Sequence, residues 1–190
     1  KSFNYPESLI KTYRYWHIVL RPGQVTLGSL VLICKENVSS CSDMSLSAAM
    51  EQKIIIEHIE TILKKKFNYT KINYLTLMMV DPLVHTHIIP RYEHAVTFDN
   101  TTFSDASWPV APDLSKQIEI HDTTWHQLLT ELKQEFAQVN SSITRSKKYS
   151  RMYTSGSFDI FHYGHLNILK RIEVFCFHLV VGLSEDELIK

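Results

Sequence analysis

Apolar and polar positions follow two different periods along this chain, and the changes of period mark its elements. Ahead of Cys34 the runs TYRYWHIVL and SLVLIC are rich in aromatic and β-branched residues, which suit a pleated, half-buried surface, so both read as strands. The stretch RPGQVTLG between them carries Pro22, Gly23 and Gly28, which mark turns between antiparallel strands. From Leu46 the spacing lengthens. Leu46, Met50, Ile54, Ile55, Ile59, Ile62 and Leu63 recur at helical intervals through Lys66. Ser45 or Ser47 is placed to cap that helix, and Lys64, Lys65 and Lys66 suit its negative C-terminal end as solvated charges.

Two further strands are expected in INYLTLMMV and LVHTHIIPR, separated by the break at Asp81-Pro82. Residues 93–120 show no clear period, and loops of that length are usually lids or disordered. A second helix begins with Asp122 as its N-cap and carries an apolar stripe of Trp125, Leu128, Leu129, Leu132 and Phe136, read as core. QVNSSITRSKKYS, from Gln138 to Ser150, is polar and weakly basic and reads as a linker. Beyond it RMYTSGSF, DIFHYGH with LNILKRIEVF, and HLVVGLS follow one another as strand, turn, helix and strand, a βαβ unit that favours parallel pairing. The organisation expected is therefore a first domain over 1–138, a linker over 139–150 and a second segment over 151–190. One βαβ unit cannot cover both faces of a parallel sheet, so the chain is expected to be a fragment of a longer protein.

Composition narrows the functional classes. Apolar residues make up 44% of the 190, enough for a packed core. Twenty basic residues balance twenty acidic ones, so no global field draws nucleic acid or an anionic membrane, and neither is expected as a partner. Phosphate binding must then come from local sites. Cys34, Cys41 and Cys176 form no CxxC pair, and no apolar run nears the roughly 18–20 residues of a membrane span. With no signal-peptide pattern at its start, the chain is expected in the cytoplasm, where the Asn-X-Ser/Thr triplets at Asn37, Asn68, Asn100 and Asn140 are chance occurrences.

Strand alternation places Leu83, His85 and His87 on one face, the two imidazoles about 7 Å apart along the strand. That pair suits a metal site, a nucleophile with its helper for nucleotidyl transfer, or a half-buried sheet with ordinary partners. The run LVHTHIIPR resembles the histidine-triad motif, in which three alternating histidines precede two apolar residues and often Pro-Arg. RPGQVTLGSLVLICKE resembles that family's hairpin, and the helix over 46–66 stands where the family has its long helix, so the resemblance covers roughly residues 10–136. It implies a nucleotide-binding domain in which His85 attacks the α-phosphorus and His87 donates to the phosphate oxygens, with no cofactor and no metal. Leu83 occupies the place of the first histidine, and MMVDPLVH lacks the Gly- and Gln-bearing phosphate loop usual there. Both departures fit slow turnover or binding alone.

Gly156-Ser157-Phe158-Asp159-Ile160-Phe161-His162-Tyr163-Gly164-His165 lies between a predicted strand and helix, where free N–H groups and the helix dipole attract phosphate. His162 and His165, three apart, face one bound group, and Gly156 and Gly164 let it approach the backbone. The segment closely resembles the signature of glycerol-3-phosphate and choline-phosphate cytidylyltransferases, with HLVVGLSEDE as its later strand. The resemblance implies His162 and His165 as catalytic groups that stabilise departing pyrophosphate. It implies Gly156, Ser157, Phe158, Asp159 and Gly164 as nucleotide-binding, and Mg²⁺ arriving with CTP.

Taken together, the fold class expected is α+β: a HIT-like antiparallel sheet with helices, then a truncated βαβ unit of a Rossmann-like α/β nucleotidyltransferase. The function expected is a bifunctional nucleotide enzyme, a hydrolase or transferase of the histidine-triad kind fused to a cytidylyltransferase acting on a phosphorylated alcohol. The alternative is a degenerate module that binds a nucleotide or holds a dimer without catalysis. The first resemblance also implies a homodimer.

Overall fold

The computed structural model describes residues 2–139, 149–156, 163–173 and 176–183. Contacts divide the chain into two units, Lys1–Val139 and Asn140–Lys190.

The first unit opens with three antiparallel strands, β1 (Leu9–Thr12), β2 (Trp16–Leu20) and β3 (Leu30–Cys34). Helix α1 (Leu46–Phe67) leads to β4 (Lys71–Leu75) and β5 (His85–Arg91), and β5 inserts beside β3 to give the order β1-β2-β3-β5-β4. A two-stranded hairpin, β6 (Val96–Phe98) and β7 (Thr101–Phe103), and helix α2 (Asp122–Gln138) complete the unit. Trp16, Ile18, Leu20, Leu30, Leu32 and Ile88 share one sheet face by register, and they join Ile55, Ile59, Ile62 and Leu63 of α1 and Leu128, Leu132 and Phe136 of α2 in one buried cluster. Burying such a side chain stabilises by about 1.5–3 kcal/mol, so the helices are held to that face alone. The other face, with His17, Val19, Val31, His85 and His87, is left to loops.

The ends of α1 follow capping rules. The Ser45 side chain accepts from the Ala48 N–H, and Asn68 closes the helix in the left-handed region at φ 48°. Gly28 also has a positive φ of 79°, and a Cβ there would stand 2.9 Å from the Phe67 ring, so the turn before β3 requires glycine. The three lysines at the helix end are not merely solvated. Lys66 pairs with Glu131 at 2.8 Å and Lys65 with Glu135 at 3.3 Å, while the Lys64 ammonium donates to the Tyr69 carbonyl. Lys65 and Lys66 thus link α1 to α2, and Lys64 ties the end of α1 to the chain that follows it.

Several expectations are corrected. TYRYWHIVL is not one strand: Thr12 ends β1 and Trp16 begins β2, with Glu51 of α1 accepting from the Arg14 and Tyr15 N–H groups between them. Aromatic residues continue across that turn, which hid it. INYLTLMMV is strand only to Leu75; Met79 and Val80 are exposed in a loop. Residues 93–120 are not without structure, because Asp99 and Asn100, both at positive φ, turn the β6–β7 hairpin. Asp122 is the first residue of α2, not its cap; His121 stands at the N-cap and makes no side-chain capping bond.

In the second unit β8 (Tyr149–Gly156) and β9 (Cys176–Leu183) pair in parallel around α3 (Tyr163–Glu173), which is the expected βαβ order. The unit accords with a nucleotidyltransferase-like arrangement, and the whole chain is α+β. Ser157, Phe158, Asp159 and His162, with most of the proposed linker, lie outside the described residues. No helix among the described residues is long and apolar enough to cross a membrane.

Candidate nucleotide site

β5 carries His85 and His87 on the sheet face away from the helices. Their rings meet edge to face with centroids 5.2 Å apart, and they are 4% and 7% exposed. Both line a cavity of ≈ 400 Å³ together with Phe3, Arg21, Leu77, Met79, Val80, Asp81 and Leu114. Phe3 packs its ring on both imidazoles, 5.1 Å from His85 and 5.4 Å from His87. The loop from Thr76 to Val84 forms an apolar lip, tied down where the Thr76 hydroxyl meets that of Thr86 at 2.7 Å and where the Leu83 N–H donates to Asp81 Oδ1.

The chemistry of the pair follows from its hydrogen bonds. His85 Nδ1 lies 2.8 Å from the Leu83 carbonyl. A carbonyl only accepts, so Nδ1 carries the proton and Nε2 of the neutral ring keeps the lone pair. His87 Nδ1 is buried and has no hydrogen-bond partner among the described residues. Burial, then His85, then the Arg21 guanidinium push the His87 pKa down to about 4, so this ring is neutral at pH 7.

Leu83 itself is placed differently from the alternation reading. The strand begins only at His85, and the Leu83 side chain does not line the cavity; its contribution is a main-chain carbonyl. The Pro90-Arg91 pair is structural. Arg91 Nε and Nη2 hold the Asp105 carboxylate at 2.5 and 3.1 Å, Nη1 donates to Asn73, and the pair is almost fully buried. It anchors the long loop after β7 through Asp105 and Val110.

Arg21, Phe3 and the lip residues escaped the sequence reading. Arg21 had a signal: His17, Val19 and Arg21 alternate along β2 and its extension, with the Arg21 N–H continuing the ladder to the Ser29 carbonyl. Among the described residues no group of three or more His, Cys, Asp or Glu side chains is placed to hold a metal ion.

In the second unit Gly156 ends β8, and Gly164 and His165 lie in the first turn of α3. The glycines and this histidine are thus brought to the strand end and the helix start, where the helix dipole favours an anion.

Comparison with known proteins separates the two units in the same way. The family described as cytidylyltransferase-like matches residues 153–190. Glycerol-3-phosphate cytidylyltransferase of Bacillus spizizenii is 49% identical over 37 residues, 20% of this chain and 29% of that protein. Ethanolamine-phosphate cytidylyltransferase of Arabidopsis thaliana is 45% identical over 45 residues, 24% of this chain and 11% of that one. The chain thus spans less than a third of the length of these relatives. Among solved structures, a histidine triad protein of Bradyrhizobium japonicum superposes with TM-score 0.55 at 20% identity, over 67% of this chain and 88% of that one. One from Marinobacter aquaeolei VT8 gives 0.56 at 16%, over 68% and 88%. The chain therefore has a histidine-triad-like fold followed by a cytidylyltransferase-like segment.

Proposed function

We propose that this chain is part of a bifunctional nucleotide enzyme. Its first unit cleaves nucleotides at the α-phosphorus through a nucleotidyl-histidine at His85, and its second contributes to transfer of CMP from CTP to a phosphorylated alcohol. The observation that carries the reading is the His85 ring: Nδ1–H is committed to the Leu83 carbonyl, which leaves Nε2 as the nucleophilic nitrogen beside a cavity. The Nε2 lone pair forms an N–P bond while the bond from phosphorus to the leaving oxygen or nitrogen breaks. The leaving group departs with that electron pair and takes a proton from solvent. Water then displaces Nε2, releasing the nucleoside monophosphate. His87, neutral at pH 7, keeps one N–H to donate to a phosphate oxygen.

In the second unit His165 and Gly164 at the start of α3, with Gly156 at the end of β8, support a triphosphate site, to which His162, Ser157, Phe158 and Asp159 belong in this reading. Positioning and electrostatics carry such a transfer, the histidines stabilising charge on departing pyrophosphate, and Mg²⁺ enters with CTP as part of the substrate. The first site uses no cofactor. A cytoplasmic homodimer without nucleic-acid or membrane partners completes the proposal.

The test is to trap label. Incubation with a nucleotide carrying label at its α-phosphorus, quenched in alkaline denaturant, should leave label on the wild-type chain and none on His85→Ala. A rival reading, a module that binds nucleotide without cleaving it, is favoured by the absence of the Leu83 side chain from the cavity and by the exposed apolar lip. Nucleotide binding with no label trapped would establish it instead.

A further inference from the structure

Arg21 is 9% exposed, yet it is a full cation on the wall of the cavity that holds His85 and His87. Its position follows from the sheet. Register pairs Val19 with Val31 and Val31 with His87, so Arg21 lies two residues along β2 from the row of His87 and two strands away. With strands spaced by about 4.8 Å and residues by about 3.3 Å, the two backbones stand about 12 Å apart, and the Arg21 and His87 side chains line one cavity from either side of that gap. Nη1 donates to the Gly23 carbonyl and Nη2 to the Leu114 carbonyl at 3.0 Å. Two carbonyls fix the direction of the planar fork without neutralising its charge, and they leave other N–H groups of the five available.

The cavity wall is otherwise poor in positive charge. Phe3, Leu77, Met79, Val80 and Leu114 are apolar, His87 is neutral at pH 7, and Asp81 is acidic with one oxygen accepting from the Leu83 N–H. A buried cation whose hydrogen bonds among the described residues go to neutral carbonyls is costly, and an anion entering beside it recovers that cost. On the same wall His87 Nδ1 is a buried polar atom with no hydrogen-bond partner among the described residues.

We infer that Arg21 is the anion anchor of this cavity, and that the ligand is a phosphate group of a nucleotide seated between the Arg21 fork and the imidazoles of His85 and His87. Arg21 thereby takes over phosphate recognition that the short, apolar lip from Leu77 to Asp81 has no side chains to provide. The inference rests on the reading of the cavity as a nucleotide site, but not on catalysis there. A chain that binds monophosphates through Arg21 and never becomes labelled would sink the hydrolase reading and leave the anchor standing.

Calorimetry with AMP, CMP and the two parent nucleosides tests it. On the wild-type chain a monophosphate should bind at least about tenfold tighter than its nucleoside, since hydrogen bonds between a guanidinium and a phosphate are stronger than those between neutral groups. Arg21→Gln should abolish that difference, and Arg21→Lys should retain part of it. Because Arg21 also ties two loops, the wild-type chain supplies a measurement independent of folding: its Arg21 Nε–Hε NMR resonance should move with AMP or CMP and stay put with the nucleosides. Monophosphates bound no tighter than nucleosides, an unmoved Nε–Hε signal at saturation, or Arg21→Gln binding AMP as the wild type does would each overturn the inference.

Discussion

The Leu83 carbonyl accepts from His85 Nδ1 at 2.8 Å, so the residue that stands where the resemblance places a first histidine orients the second one through its backbone. A carbonyl serves as well as a side chain for fixing a tautomer, because the only requirement is an acceptor at hydrogen-bond distance from Nδ1. Leucine at position 83 is thus compatible with the proposed role of His85 as nucleophile.

It follows that Leu83→Ala should form the nucleotidyl adduct at a rate within about threefold of the wild type, the carbonyl being unchanged. His85→Ala should form none. His87→Ala should still form it but slow turnover by on the order of 100-fold, the usual cost of losing one phosphate-oxygen donor. Quenched-flow labelling of the three variants distinguishes these outcomes, and a slow Leu83→Ala would show that the side chain has a part after all.

His87 also makes stability depend on pH. Its folded pKa, about 4, lies below the ordinary histidine value near 6.5, so the unfolded chain takes up the proton first as pH falls. Its contribution is complete above about pH 6.5 and is lost as pH drops towards 4, amounting to about 2 kcal/mol by pH 5. Urea unfolding of wild type and His87→Leu at pH 7 and pH 5 should show the extra loss only where the histidine is present. Equal losses in both chains would contradict the assignment.

Arg91 and Asp105 form a pair whose side chains are 4% and 2% exposed. Asp105→Ala leaves a guanidinium buried without its counter-charge and should cost about 3–5 kcal/mol in unfolding free energy. Arg91→Met with Asp105→Leu removes both charges and should cost clearly less than the single change. A double variant as unstable as Asp105→Ala would mean that the hydrogen bonds to Asn73 and Val110 matter more than the charge.

Among its described residues the second unit offers little burial by itself. Tyr153, Val180 and Leu183 of its strands and Ile168 of its helix are exposed. Ordering a residue costs about 1–2 kcal/mol of backbone entropy, which two strands and one helix do not offset. Residues 150–190 expressed alone should show no cooperative thermal transition by circular dichroism, whereas residues 1–139, with their own buried cluster, should show one.

Much of this architecture was written in local pattern. The helical spacing from Leu46 with Ser45 ahead of it, the alternation through His85 and His87, and the strand–glycine–histidine order from Gly156 to His165 each depend on neighbours a few residues apart, so the chain's own period displays them. What tertiary structure decided depends on partners distant in sequence. The end of β1 at Thr12 is set by Glu51 on α1, the role of Arg91 by Asp105, and the tautomer of His85 by the main-chain carbonyl of Leu83. Arg21 joins the histidines only because β5 inserts beside β3, bringing residue 21 to the same face as residues 85 and 87. No period in the sequence encodes that meeting, since strand order is chosen by how the whole apolar surface is buried and not by the residues that the choice brings together.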